Sequence, residues 1–344
     1  MILTLVPDIT DVPAASWDVL ATRAGLYLSH QWLAAQQRDP TARVRYALVH
    51  DDGHLIAAVP LYVGDTEPND LYRVHELLPD RAPARTLLAG ARRGYLNAPL
   101  LHPRLTPGRR REALGHLVAA TGTLAAAENA VPWWLYVTDE AAAELADACG
   151  TKPVQLNQDA RIPLPGSTFE DYLEGLTSKR RVAIRRERRA FAEAGYELRT
   201  LRLSECAAAA GALAAQLQER HGHPADPAAM AGLLRDQAEG MADSGRVHAA
   251  FAGRHMVAFS LSYHHADTVW LRSTGYDYAR LRGAHEYFNL VYYLPIEDAY
   301  AHGATSLHLG MESLRAKTLR GAVASPLWAI EGRSVGTRPE RSVG

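Results

Sequence analysis

Two hairpin-like runs of similar apolar pattern recur about 200 residues apart. RYALVHDDG (45–53) reads as a strand closing in a turn, with Asp-Asp-Gly supplying the left-handed positions of a hairpin, and HLIAAVPLY (54–62) returns from it. VHAAFAG (247–253) and HMVAFSLSY (255–263) repeat the order across a shorter turn, with His, Ala and Tyr in register. Such a repeat predicts a duplicated domain. The boundaries it implies are 1–160 and 161–335, with PLPG (163–166) as linker and 336–344 as a polar tail.

Elsewhere the apolar spacing becomes helical. LSHQWLAAQQ (28–37) carries a Ser29 N-cap, and three further helices are predicted ahead of the second hairpin, over 178–194, 204–221 and 226–240. Gly195 stops the first of these and Gly245 follows the third. TVWLRSTGYD then reads as a strand, HEYFNLVYYLPIEDAYAHG as a helix, TSLHLG as a strand, ESLRAKTLRG as a short helix and SPLWAIEG as a final strand. Helices, antiparallel strands and then strand-helix alternation predict an α/β fold, an α+β mixed sheet.

Composition narrows the class. With 344 residues, 47% hydrophobic and 22% charged, the chain has the make-up of a folded globular protein of two domains, not of a fibre or a disordered tail. MILTLVPDITDVP lacks a basic n-region and a long apolar core, and no later run approaches the roughly 18 apolar residues of a membrane span. A cytoplasmic location is expected. Cys149 and Cys206 are the only cysteines and have no CxxC spacing, which suits a reducing compartment. His221-Gly-His223 and His264-His265 lack Cys or carboxylate partners at ligand spacing, so no metal is expected. No GxSxG, HExxH or Walker sequence occurs.

Net charge is only -1, yet the first 160 residues carry 14 basic and 18 acidic groups and the remainder 23 and 20. The basic excess is concentrated in SKRRVAIRRERRAFAEAG (178–195), where seven of the first twelve residues are Lys or Arg. At helical spacing Ala183, Ile184, Ala190, Phe191 and Ala194 share one face, and Arg181, Arg185, Arg188 and Arg189 the opposite one. A solvated face is the usual fate of such a run. Lys179, Arg180 and Arg181, however, crowd the first turn, where the helix dipole repels each cation by a few tenths of a kcal/mol, on the order of 0.3. A bound phosphate or carboxylate would remove that conflict, which makes Lys179, Arg180, Arg181 and Arg185 candidate substrate-binding residues. Glu187 projects onto the apolar face, placed to pair with Arg180 or another internal Arg in a structural role.

Several stretches together resemble the Fem-like (FemAB/FemX-type) branch of the GNAT acyltransferases, a tandem of duplicated GNAT domains. FEDYLEGLTSKRRVAIRRERRAFAEAGYEL resembles the opening of the Fem-like second domain, and GYLNAPLL (94–101) the first-domain Tyr-x-x-x-Pro-Leu stretch. STGYDYARLRGAHEYFNL and GATSLHLGMESLRAKTLRG resemble the borders of the second-domain ligand groove. The matches run from about Leu26 to about Gly332. The resemblance implies transfer of an acyl group to an amine. In the best-known members an amino acid moves from aminoacyl-tRNA to a peptidoglycan precursor; others serve natural-product pathways.

GNAT enzymes hold acetyl-CoA pyrophosphate in a loop of the form Q/R-x-x-G-x-G/A, whose amides point at the phosphates from a helix N-terminus. Here the matching segment is Arg280-Leu-Arg-Gly-Ala-His285, in which Arg280 and Gly283 fit and His285 replaces the last small residue. Either the segment is a turn capping the helix from about Glu286, or Tyr276, Arg280, Arg282 and Gly283 bind substrate there. Among three lysines against 34 arginines, Lys317 lies where Fem-like proteins carry Phe-Lys-x-x-Phe-Gly; Gly321 also matches, and Ala316 and Arg320 replace the aromatics. The resemblance gives Lys317 the oxyanion, a role worth about 3 kcal/mol per well-placed donor. A surface lysine on a short helix is the plain alternative. Asp277, Glu312 and His308, in that order, are candidates for the base.

Three readings follow. The first is aminoacyl transfer from aminoacyl-tRNA to an amine or hydroxylamine of a small molecule or cell-wall precursor, without a cofactor. The second is N-acyl transfer from acyl-CoA or a carrier-protein thioester. The third is a non-catalytic binding protein on the same fold.

Overall fold

The computed structural model describes residues 1–64 and 67–333; the tail at 336–344 lies outside the described residues. The chain divides into two compact units, one formed by Met1–Asp159 with Ser325–Gly344 and the other by Ala160–Ala324.

The first unit runs β1 (Ile2–Val6), α1 (Ala14–Ala21), α2 (His30–Gln36), β2 (Arg43–Asp51), β3 (His54–Val63), α3 (Val74–Leu77), β4 (Thr86–Ala89), β5 (Leu100–Leu101), α4 (Pro107–Ala127), β6 (Val131–Thr138) and α5 (Asp139–Cys149). Ser29 caps α2 as expected, its hydroxyl accepting from Trp32 N at 3.3 Å. Asp52 (φ 47°) and Gly53 (φ 79°) turn β2 into β3, the left-handed pair such a two-residue hairpin demands. β1, β2, β3 and β4 are antiparallel neighbours, β4 pairs parallel with β6, and β5 adds to β3.

The second unit takes the end of β7 (Val154–Pro163), then α6 (Phe169–Glu174), α7 (Ser178–Glu193), β8 (Glu197–Arg202), α8 (Leu203–Arg220), α9 (Pro227–Gly240), β9 (Arg246–Ala252), β10 (His255–His265) and β11 (Thr268–Tyr276). After these come α10 (Glu286–Phe288), α11 (Leu294–Ala301), β12 (Ser306–Gly310) and α12 (Leu314–Thr318). β8, β9, β10 and β11 repeat the antiparallel order of β1 to β4, and β11 pairs parallel with β12 as β4 does with β6. The two hairpins seen in the sequence are therefore equivalent strands of two similar sheets. Both turns hold two residues, so the second is not shorter: Ala252 pairs with His255 as Asp51 does with His54.

Each sheet gains one more antiparallel strand, and in the first unit that strand comes from the far end of the sequence. In the second unit Ala160–Pro163 of β7 pair antiparallel with β12. In the first, β13 (Val323–Glu331) pairs antiparallel with β6 from Leu327 to Glu331. The last strand thus belongs to the first unit and not to residues 161–335. PLPG is likewise no free linker, since Pro163 ends β7 and Leu164, 4% exposed, donates its amide to Thr305 O at 2.8 Å.

In β10, Val257, Phe259 and Leu261 are fully buried, each worth about 1.5–3 kcal/mol of burial. The single helix predicted over 285–303 is interrupted by a π-helical segment, Asn289–Tyr293. Pro295, just downstream, has no N–H for the carbonyl four residues back, and its ring crowds that carbonyl; widening the preceding turn accommodates it. Among the described residues no helix is long and apolar enough to cross a membrane.

Candidate active site

All the sequence-selected residues fall in the second unit, on three segments: the β12–α12 connection, the loop from β11 to α10, and α7. The β12–α12 connection is the most strained. Gly310 (φ 66°), Glu312 (φ 63°) and Ser313 (φ 47°) are left-handed, which costs roughly 1–2 kcal/mol for each residue with a Cβ. Lys317, 4% exposed, holds this path in place. Its Nζ donates to the carbonyls of Leu309 and Gly310, both at 2.8 Å, and to that of Met311. An ammonium has three protons, and each has a backbone acceptor here. Glu312 is exposed at the apex. His308, one strand position earlier than Leu309, is buried with its ring 4.1 Å from that of Trp270, so it faces the core.

The β11–α10 loop carries Tyr276, Asp277, Arg280, Arg282 and Gly283. Tyr276 is buried, and that burial raises its hydroxyl pKa. Asp277 accepts from Arg280 Nη1 at 2.5 Å and from the Ala279 amide at 3.2 Å, a turn that closes on itself. The Arg282 guanidinium donates to Ala194 O at the end of α7 and lies 4.8 Å from the Tyr196 ring centroid. Gly283 is left-handed at φ 70°, and so is His285 at φ 61°, which caps α10.

The loop also contains a residue that no motif in the sequence marks. Glu286, 4% exposed, folds its carboxylate back onto the loop amides: Arg282 N donates to Oε1 at 2.8 Å, the Ala284 amide and its own amide add to it, and Tyr196 OH donates at 2.6 Å. Burial would raise the pKa of this carboxyl, but the donors outweigh it and hold it below its ordinary value. Backbone amides gathered at a helix start form an anion nest. Here the anion is the chain's own side chain.

On α7 the cations divide between internal partners and solvent. Arg181 donates to Leu176 O at 2.6 Å, Arg185 pairs with Glu170 at 2.6 Å, and Arg188 pairs with Glu297 and lies 4.1 Å from the Phe169 centroid. Lys179, Arg186 and Arg189 are exposed and Arg180 half-buried, with no ion-pair partner among the described residues. Glu187 turns inward as expected, and of the internal arginines its partner is Arg320. The pair is 2.9 Å apart and nearly buried, Tyr293 OH donates to Glu187 as well, and the Arg320 guanidinium lies 3.4 Å from the Phe288 centroid. Glu187 on the apolar face of α7 was the signal in the sequence for this pair; Arg320, which by the resemblance replaces an aromatic, supplies the partner.

Separately, the first unit holds a cleft of about 290 Å³ whose lining includes Tyr62, Glu67, Tyr72, Arg85 and Arg92. None of the sequence-selected residues lies there.

Two similar sheets, each an antiparallel set joined by one parallel pair and flanked by helices, define a tandem GNAT fold. The structure resembles that of FemX with a TM-score of 0.66 and 11% identity, over 97% of this chain and 98% of that one. It also resembles the C-terminal domain of a putative lysylphosphatidylglycerol synthetase from Agrobacterium fabrum (TM-score 0.59, 12% identity, 94% and 92% covered). A tandem GNAT protein from the clavulanic acid biosynthesis pathway is similar too (TM-score 0.54, 15% identity, 96% and 98% covered). At these identities the likeness is one of fold. No curated protein sequence matches significantly. The family model for FemAB-like proteins, described as peptidoglycan biosynthesis/recognition, matches residues 99–332, more than half of the chain, and the protein belongs to that family.

Proposed function

We propose that the protein is an acyltransferase that moves an aminoacyl group from aminoacyl-tRNA to an amine or hydroxylamine of a small molecule or peptidoglycan precursor in the cytoplasm. The observation that carries the choice of donor is Glu286. A carboxylate seated on the amides of Arg282, Ala284 and Glu286 repels and displaces the pyrophosphate that acetyl-CoA would bring there. Arg280 and Arg282 are also engaged, by Asp277 and by Ala194 O. The exposed Lys179, Arg186 and Arg189 of α7, with Arg180, supply cations for the tRNA backbone.

In this reading Lys317 acts through the loop it fixes. All its protons are committed, so direct donation to an oxyanion would require breaking one of three buried bonds. Glu312, exposed on that braced loop, takes the proton from the incoming ammonium; Asp277 is engaged by Arg280 and His308 packs on Trp270. Aminolysis of an activated ester needs little other acid-base help.

Purified protein incubated with labelled aminoacyl-tRNA and a panel of amines, including cell-wall precursor peptides, should show transfer, and calorimetry with CoA should show no heat. CoA binding in the micromolar range together with acyl transfer from acyl-CoA would overturn the donor assignment. No transfer from either donor would leave the non-catalytic reading standing in its place.

A further inference from the structure

At the far end of β10 and β11 from the Glu286 loop lies a second cluster of chemically capable side chains. His264 pairs with Val269 beside the β10–β11 turn, six positions along β10 from Ala258, which pairs with Tyr276 at the other end; at about 3.3 Å per residue this is roughly 20 Å. Asp298 lies in the last turn of α11 and His302 at its C-cap, four residues on. His264 Nε2 is 2.7 Å from Asp298 Oδ2, and the ligand atoms of His264, Asp298 and His302 all lie within 4.8 Å of one another. The sequence had offered His264 only its neighbour His265, at no useful spacing; the fold supplies the carboxylate and the second imidazole.

An independent observation points the same way. His248 on β9 faces the same carboxylate, its Nε2 3.9 Å from Asp298 Oδ2. The side chain is 8% exposed, and Nε2 is buried without a hydrogen-bond partner. Leaving such a group unsatisfied costs about 1–3 kcal/mol. Asp298 needs no three imidazoles to satisfy it, because Arg246 Nη2 already binds Oδ1 at 2.7 Å. That guanidinium fixes the carboxylate's orientation, the part an outer partner plays for a metal-ligating carboxylate.

We propose that His264, Asp298 and His302 form a binding site for a divalent transition-metal ion, distinct from the acyl-transfer site. Two imidazoles and one carboxylate favour zinc, cobalt, nickel or copper over magnesium and calcium, which prefer all-oxygen sets. Three protein ligands leave a position for solvent. The Arg246 charge opposes the ion, so the site binds less tightly than its ligand set alone would allow.

Titration of the untagged full-length protein with Co²⁺, read by visible absorption and followed by displacement with Zn²⁺, tests the site. One ion per chain is expected. His264→Ala and His302→Ala should each weaken binding by roughly tenfold or more. His221→Ala, on the exposed turn after α8, should change nothing. Because His302 is 44% exposed, its alanine variant should melt with the wild type in the absence of metal. Absence of saturable one-to-one binding to the wild type, or affinity unchanged in both histidine variants, would overturn the assignment.

Discussion

Replacing Lys317 with Met separates a bracing role from a direct catalytic one. Methionine keeps most of the aliphatic length and removes the ammonium, which strands the carbonyls of Leu309, Gly310 and Met311. A buried polar group left without a partner costs about 1–3 kcal/mol, so three give roughly 3–9. Met311 is half-buried and Glu312 exposed, so water reaches the outer end of the loop and relieves part of that cost. About 3–5 kcal/mol should remain. For a domain of 150–250 residues each kcal/mol shifts Tm by about 2–4 °C, which places the expected drop near 10 °C. Differential scanning calorimetry of the full chain reads it directly. Lys317→Arg should recover only part, since a planar fork cannot aim one proton at each of three carbonyls. If Lys317→Met abolishes transfer while Tm moves by less than about 2 °C, the bracing account is wrong and the ammonium serves the chemistry itself.

Three further outcomes are expected. Glu187→Ala should destabilise the protein by about 3–5 kcal/mol because it leaves Arg320 buried and unpaired, whereas the Glu187→Leu/Arg320→Met double variant should recover most of that in chemical denaturation; equal loss in both would refute a pair-based account. Removing Lys179, Arg186 and Arg189 together should weaken tRNA binding and flatten the plot of log affinity against log salt, its slope falling by about one for every phosphate these cations neutralise; an unchanged slope in filter binding would remove α7 from the interface. Cys149 and Cys206 are buried, and that burial pushes both thiols up to about 11, so labelling by a thiol reagent at pH 8 should be roughly 100-fold slower in the native protein than after denaturation.

The architecture was readable where pattern is local. The HLIAAVPLY and HMVAFSLSY runs gave the duplication, because each is a central strand whose apolar residues and turn are set within twenty residues. The return of β13 to the first unit was not readable. Nothing in SPLWAIEG distinguishes pairing with β6 from pairing with β12, since both partners present backbone groups that take any apolar strand; the choice is made by the packing of whole units. The break at Asn289–Tyr293 had a signal in Pro295, which a continuous helix cannot accommodate without a local change.

The site divides along the same line. The charge run on α7 was plain, but its meaning depended on partners far along the chain: Glu170, Glu297 and Arg320 are 15, 109 and 133 residues from the α7 residues they bind. Once those partners are in place, the run has two functions. Arg181 ties α7 to the turn before it, Arg185 to α6, Arg188 to α11, and Glu187 to Arg320 just after α12, and only Lys179, Arg180, Arg186 and Arg189 remain for a phosphate. Arg320 replaces an aromatic yet still packs on Phe288, and its charge reaches Glu187 on α7, so the helix that carries the free cations is tied through α12 to the loop that Lys317 braces. Charge lost at Arg320 should therefore be felt both in the strained loop and at the α7 surface, two places that sequence distance keeps apart.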